Sequence, residues 1–280
     1  MPRHKVLITV TTYPQPSRSH DELVCTAGIL ESGEWIRIYP IPLSFLIDLK
    51  GNGKVNNVKY TWFELELRKR TDDFRPESHS PVNYNFKDLQ ILARIDTENN
   101  WRERKTLVLK NVYTNMGKLI ADSKSPKNVS LATFKPTTIV KLDWEEEKSR
   151  DWKSEWTDLR KQGDLFAGVK DPGKLIRKLP YKFFYIFTDE TGKERRLMIE
   201  DWEIGALYWK CLRAAEGNEQ VALQKVKEQY EDNFKKDKDV YFFLGTTKSW
   251  HKRAKNPFMI IGIFYPKKEV VKGGVQVELF

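Results

Sequence analysis

A predicted strand pair near the N-terminus constrains the fold more than any other part of the chain. Segment 22–40 has β-branched and aromatic residues on both sides of a tight turn that ends at Gly33, a residue free to adopt positive φ. In the second strand, Trp35, Arg37 and Tyr39 share one face, and isoleucines occupy the other. This alternation predicts an antiparallel hairpin with one face against an apolar core.

The face that carries Trp35, Arg37 and Tyr39 has two interpretations. An aromatic–guanidinium–aromatic row on a small barrel offers a flat, cationic surface that suits bases and phosphates. Alternatively, the rings cover the rim of the barrel and Arg37 pairs with a neighbouring carboxylate, because aromatic and charged residues are ordinary on sheet faces. The first interpretation predicts that alanine at Trp35 or Arg37 changes the stability of the protein little.

Composition favours a folded, cytoplasmic protein with a polyanionic partner. The chain has 280 residues, 40% of them hydrophobic, and a formal net charge of +10. Positive charge attracts phosphates at long range, and the apolar content excludes a disordered protein. No apolar run approaches the ~18 residues of a membrane span, and the N-terminus does not have the pattern of a secretory signal. Cys25 and Cys211 are interpreted as core residues in a reducing compartment.

The remaining pattern predicts a β-dominated α+β fold, with two small antiparallel barrels that are OB-like or PUA-like and carry helical insertions. Further strands are predicted at 5–13, 58–70, 89–95, 131–134, 137–144, 181–189, 193–199, 239–244 and 258–264. Helices are predicted at 43–49, 101–109, 113–123, 152–165, 202–215 and 218–234. A charge run at 145–151 predicts an N-terminal barrel domain (1–148), a C-terminal barrel-like domain with two helices (149–268) and a flexible tail (269–280).

Four short segments resemble a known family. Cys25-Thr-Ala-Gly-Ile29 is followed by Gly33-Glu-Trp-Ile-Arg37, and this pair is similar to the opening of the dual OB-fold domains of prokaryotes. Segments 243–246 and 256–263 are similar to the closing strands of such domains, whereas the helical middle departs from the pattern. The resemblance implies nucleic-acid handling in a setting of DNA modification, repair or phage defence, without specifying an activity.

Two groups of arginines are candidate phosphate contacts. Arg68, Arg70 and Arg75 lie at the end of a long predicted strand and in the loop after it, where cations at a barrel rim are well placed for phosphates. A solvated strand end explains them equally well. Arg102 and Arg104 open a predicted helix, a position that the helix dipole disfavours for cations. An external anion or a nearby glutamate would explain their placement.

A basic stretch between the last two predicted strands is the candidate specificity loop. Aromatic rings within a cationic loop are typical of proteins that bind single strands or flipped bases. The alternative is an exposed basic loop whose tryptophan folds back onto the barrel. The candidate residues of this loop, 245–257, are Lys248, Trp250, His251, Lys252 and Arg253.

Signatures of catalysis are sparse in the sequence, and we recognise no catalytic motif. The four histidines are scattered, and no Cys/His spacing or glycine-rich phosphate loop predicts a zinc or nucleotide site. We therefore expect a nucleic-acid-binding protein without cofactor, metal or membrane association, with DNA favoured over RNA and a protein partner or a homodimer left open. The alternatives are a nuclease or base-modifying enzyme whose site forms only in the fold, and an interaction subunit of a defence complex.

Overall fold

The computed structural model describes residues 3–13, 15–16, 22–51, 57–152 and 177–269. Most of the helix predicted at 152–165 and nearly all of the predicted tail lie outside these residues. In the described part of the chain, the strands form two separate antiparallel-rich sheets, one from each half of the sequence.

The first sheet contains a closed five-stranded barrel, with the strand order β1-β3-β4-β6-β5 and back to β1. Closure is possible because the later half of β1 pairs with β3 while its first half pairs with β5. The predicted hairpin is present as β3 and β4, and Gly33 in its turn has a φ of +89°. The elements are β1 (Arg3–Thr11), β2 (Gln15–Pro16), β3 (Glu22–Leu30), β4 (Trp35–Pro42), α1 (Leu43–Gly51), β5 (Thr61–Lys69), β6 (Ser78–Pro81) and β7 (Gln90–Arg94).

The second sheet has the strand order β10-β11-β12-β14-β13-β9-β8. Only residues 135–137 separate β9 from β10, yet these strands pair with β13 and β11, at opposite ends of that order. The sheet therefore curls around its core. Its strands are β8 (Val112–Tyr113), β9 (Leu131–Phe134), β10 (Thr138–Glu146), β11 (Tyr181–Thr188), β12 (Glu194–Ile199), β13 (Tyr241–Thr246) and β14 (Phe258–Phe264).

Helices pack against the second sheet and connect several of its strands. Asn115, Asp201 and Asn218 cap three of these helices, each accepting a backbone N–H in the first turn. The predicted helix start at Trp101 is shifted, because residues 99–101 have positive φ and the right-handed helix follows them. The helices are α2 (Glu98–Val108), α3 (Met116–Asp122), α4 (Trp202–Ala214), α5 (Glu219–Lys227), α6 (Asn233–Asp237), which follows a π-helical turn, and α7 (Lys248–His251).

Two features of the first half differ from the sequence pattern. Strand β6 lies in a polar stretch where no strand was predicted, because its four residues are ordered by pairing with β4 and β5 and not by an alternation of their own. Strands β9 and β10, which we placed in the N-terminal domain, pair within the second sheet. The charge run at 145–151 thus begins at the end of β10. The predicted boundary between the two domains at residue 148 stays a prediction.

The two sheets pack directly against each other. Each sheet has an interior core of its own, and a third apolar cluster joins them. Leu7 and Ile29 of the first sheet lie in this cluster with Phe243, Ile261 and Phe264 of the second, all at most 5% exposed. The outer surface of β1 and β3 is therefore covered by the other half of the molecule.

Candidate nucleic-acid interface

The contact between the sheets determines the role of Arg37. This side chain is 3% exposed, and its guanidinium donates to Ser78 Oγ at 3.2 Å, Ser130 Oγ at 2.8 Å and Ser130 O at 3.2 Å. Ser130 directly precedes β9, so the arginine connects the two halves. Trp35 packs edge-on against Phe243, with 5.1 Å between ring centroids. The expected open row is thus corrected: Trp35 and Arg37 lie in the contact, and only Tyr39, at 36%, remains exposed.

Two more of the candidate arginines are buried. Arg75 forms a two-pronged ion pair with Asp73 and also donates to the Thr246 carbonyl. Arg104 donates twice to the Ile95 carbonyl, at 2.7 and 3.2 Å. Because their donors are directed at protein acceptors, these side chains do not present a charge to a ligand. Their burial corrects the expectation that both contact an anion.

The remaining candidate arginines of the first half are accessible to different degrees. Arg102 is exposed on α2. Arg68 is exposed near the end of β5 and donates to Ser80 Oγ at 3.2 Å. Arg70 begins the loop after β5, where its Cζ lies 5.5 Å from the centre of the Tyr39 ring. A cation over an aromatic face holds both groups in a fixed arrangement.

The two basic loops predicted from the sequence lie side by side. Loop 70–77 connects β5 to β6 in the first sheet, and segment 247–257 connects β13 to β14 in the second. Lys248 Nζ lies 3.3 Å from Asp72 Oδ2, and Lys252 Nζ lies 4.1 Å from the Phe74 ring centre. We call the result the paired-loop surface; it consists of Tyr39, Arg70, Asp72, Phe74, Lys248, Trp250, Lys252 and Arg253.

Exposed aromatic rings are concentrated on this surface. Among the described residues, the aromatic side chains classed as exposed are Tyr39, Phe74, Tyr84 and Trp250, the last at 60%. Three of these four rings belong to the paired-loop surface, and the fourth, Tyr84, follows β6. Exposed large apolar groups gathered in one patch mark an interaction site, whereas scattered ones do not.

Cations surround these rings. Lys248, Lys252, Arg253 and Lys255 are all exposed within segment 247–257. In the part of the chain that the structure describes, neither Arg253 nor Lys255 forms an ion pair with a carboxylate. Their charges remain available to an external anion, which is the arrangement found in grooves that follow a nucleic-acid backbone.

His251 supports the surface from below. It is fully buried, with Nε2 2.7 Å from the Ser123 carbonyl and Nδ1 2.7 Å from Thr246 Oγ1. Burial is the main cause of the lowered pKa of its imidazole, and Arg75 adds to the effect. The neutral ring donates from Nε2 and accepts at Nδ1. The expectation of an accessible histidine is therefore corrected: His251 anchors α7, the helix that presents Trp250.

Sequence reasoning missed two members of the paired-loop surface, Asp72 and Phe74. The available signal was an aromatic residue among charges in a polar loop, the same pattern that identified Trp250. Within the described ranges, no group of three or more His, Cys, Asp or Glu side chains is arranged to hold a metal ion. None of the helices that the structure describes is long and apolar enough to cross a membrane.

Two family models together cover almost the whole chain. Residues 2–110 match a domain of unknown function (DUF8758), and residues 112–280 match a second domain of unknown function (DUF8757). The second match spans more than half of the chain. The chain belongs to the DUF8757 family. The DUF8757 region begins with β8 and contains the second sheet, while the DUF8758 region contains the first sheet and α2.

The other two comparisons do not extend this family assignment. No curated protein matches the chain. Among solved structures, a murine DNA-binding protein bound to double-stranded DNA is similar over 98% of this chain and 99% of that chain, with 8% identity and a TM-score of 0.30. At this identity and TM-score, the likeness does not indicate a function for this chain.

Proposed function

We propose that this protein binds nucleic acid at the paired-loop surface, with bases stacked on its aromatic rings and phosphates held by its cations. The observation that carries the proposal is that three of the four exposed aromatic rings of the described chain lie there, beside cations without carboxylate partners. Aromatic faces bind any base, and cations follow the backbone regardless of sequence. A net charge of +10 adds long-range attraction to the same ligand.

We further infer that both halves are OB-like barrels. In the first, the order β1-β3-β4-β6-β5 closes on itself, β4 and β6 are parallel, and α1 lies between the third and fourth strands of the barrel. The second half repeats this strand order if β9 and β10 are taken as one bent first strand. Strands β11, β12, β14 and β13 then follow in spatial order and return to β9. As in the first barrel, the third and fifth strands, β12 and β14, are parallel, and helices lie between the third and fourth strands. This is the strand order of a five-stranded Greek-key OB barrel.

In the OB-like arrangement, the two loops of the paired-loop surface occupy equivalent positions in their barrels. Loop 70–77 and segment 247–257 each connect the fourth and fifth strands of their barrel. That loop is one of those with which OB barrels hold oligonucleotides. Two equivalent ligand loops from two related barrels therefore form one surface. Meanwhile, part of the sheet face usually used by such barrels is covered at Trp35 and Arg37.

We favour DNA over RNA, in the cytoplasm of a prokaryote and in a modification, repair or phage-defence setting. The support for this choice is the resemblance of residues 25–29 and 33–37 to proteins of that setting. The surface itself is tolerant of sugar and sequence, because stacking and charge discriminate little between nucleic acids. Single strands are the better ligand, since their bases are free to lie on the rings.

Binding of the full chain to labelled 20-nucleotide DNA, single-stranded and duplex, and to matched RNA tests the proposal. The logarithm of affinity should fall linearly with the logarithm of salt concentration, with a slope of a few units. Trp250→Ala should weaken single-strand binding by about 5- to 150-fold, because stacking contributes ~1–3 kcal/mol per base. Arg253→Ala should reduce the slope by about one unit.

Lys236→Ala is the matched control. Lys236 is an exposed cation on α6, at the opposite end of β13 from α7. Its removal lowers the net charge as Arg253→Ala does, but it should leave the affinity within about twofold. Absent binding at ~50 mM salt, or a flat salt titration, would overturn the proposed function. Equal weakening by Lys236→Ala and Arg253→Ala would replace a defined surface with general charge attraction.

A further inference from the structure

The carboxylate of Asp72 sits between cations from both halves of the molecule. Arg70 holds it with two hydrogen bonds, Nε to Oδ1 at 3.0 Å and Nη2 to Oδ2 at 2.6 Å. Lys248, from the second sheet, approaches Oδ2 at 3.3 Å. A guanidinium fork with an ammonium beside it is also the set of donors with which proteins bind a phosphate group. Asp72 is thus held as a phosphate would be held.

Its neighbourhood fits a nucleotide. The guanidinium of Arg70 also lies over the Tyr39 ring, so an aromatic face adjoins the two cations. Trp250 is two residues from Lys248 on the same short helix. A phosphate on Arg70 and Lys248 would therefore lie beside the Tyr39 ring, on which an adjacent base could stack, with Trp250 on the same helix as Lys248.

The Asp72 side chain can also move away from Arg70 and Lys248. It is 57% exposed, whereas the adjacent Asp73 is buried and fixed by Arg75. Water screens an exposed ion pair, so breaking it is easily offset by a ligand of higher charge. Asp73 keeps the loop in place while its neighbour moves.

We propose that Asp72 occupies a phosphate subsite in the free protein, and that a phosphate of the bound nucleic acid displaces it from Arg70 and Lys248. This inference rests on the proposed function and adds its regulation: the internal carboxylate lowers the affinity of the paired-loop surface for every ligand. It also predicts that the contribution of Arg70 and Lys248 to binding is partly masked in the native sequence.

The test is Asp72→Asn, assayed with a labelled single-stranded 20-nucleotide DNA. At ~50 mM salt the affinity should rise by about three- to tenfold, and the log–log salt slope should steepen by about one to two units as two cations become available. Glu145→Gln is the control, because Glu145 is also 57% exposed and paired with an arginine, Arg196, and lies on the distant strand β10. It raises the net charge equally but should change the affinity less than twofold.

Arg70→Ala combined with Lys248→Ala completes the experiment. In that background, Asp72→Asn should give no gain in affinity, since the masked cations are gone. If the native protein shows no salt-dependent binding, the proposed function fails. If it binds but Asp72→Asn leaves affinity and slope unchanged, or weakens binding, Asp72 only braces the two loops and the subsite is overturned while the function stands.

Discussion

Arg37 shows how neighbours in the fold determine what a residue does. Its guanidinium lies among acceptors from both sheets, and Ser130 Oγ in turn donates to Glu77 Oε2 at 2.7 Å. Glu77 also accepts the backbone N–H of Ser130 at 2.9 Å. The result is a buried polar network in which each group satisfies another. Removing one member leaves acceptors unpaired where water does not reach them.

Arg37→Met should therefore lower the free energy of unfolding by about 2–4 kcal/mol, because a buried charged donor is lost and its acceptors stay buried. Urea unfolding followed by fluorescence measures the change. Arg68→Met is the control: Arg68 is exposed, donates to Ser80 Oγ, and should alter stability by less than ~0.5 kcal/mol when replaced. If the Arg37→Met protein were equally stable but had lost nucleic-acid affinity, the buried role of Arg37 would be contradicted and the interpretation as an exposed stacking face would be supported.

At the level of elements, the short helix α7 depends on caps and a buried anchor. Thr247 accepts the Trp250 N–H at its start, and His251 binds Ser123 and Thr246 from its last position. A four-residue helix has little stability of its own. The position of Trp250 on the surface thus follows from the neutral histidine beneath it, because protonation would remove the acceptor at Nδ1.

His251 should make stability depend on pH in a defined direction. Because its folded pKa is lowered, its contribution is complete above the unfolded value of ~6.5 and is lost as the pH falls from there towards the folded pKa. The difference in unfolding free energy between the native protein and His251→Gln should thus shrink between pH 7.5 and 5.5, by at most ~1.4 kcal/mol per pH unit. Urea titrations at each pH measure it; a difference that grows in acid contradicts the assignment.

On the scale of the whole molecule, a buried ion pair connects the halves. Lys59 precedes β5 in the first half, and its Nζ lies 3.1 Å from Asp201 Oδ1 and 3.2 Å from Glu203 Oε1 at the start of α4. Burial raises the pKa of Asp201 above its usual value even though Lys59 is adjacent. The cation therefore offsets only part of the cost of holding this carboxylate away from water.

Lys59→Met should destabilise the protein by about 3–5 kcal/mol at pH 8, because it leaves a buried carboxylate without its cation. The loss should be smaller at pH 5, since the folded pKa of Asp201, already raised, rises further without Lys59 and the group takes up a proton. Adding Asp201→Asn, which keeps a helix cap, should recover much of the loss at pH 8. Urea unfolding at both pH values measures this; an equal loss at pH 5 and pH 8 would contradict it.

Much of the secondary structure could be predicted from the sequence. The hairpin of β3 and β4, the strand β5 and the last strand pair follow from alternation and turn residues, which act over a few neighbouring positions. The basic loop with Trp250 was also identified from composition alone. These features are local, so the residues that specify them lie next to each other in the chain.

The sequence by itself determined a β-dominated chain, the alternating face of β4 and the aromatic, cationic character of segment 247–257. Only the tertiary structure decided that Arg37, Arg75, Arg104 and His251 are buried. Alternation shows which residues share a face, but it does not show whether another half of the molecule covers that face. For the same reason, the meeting of loop 70–77 with segment 247–257, more than 170 residues apart, depends on the packing of the two sheets.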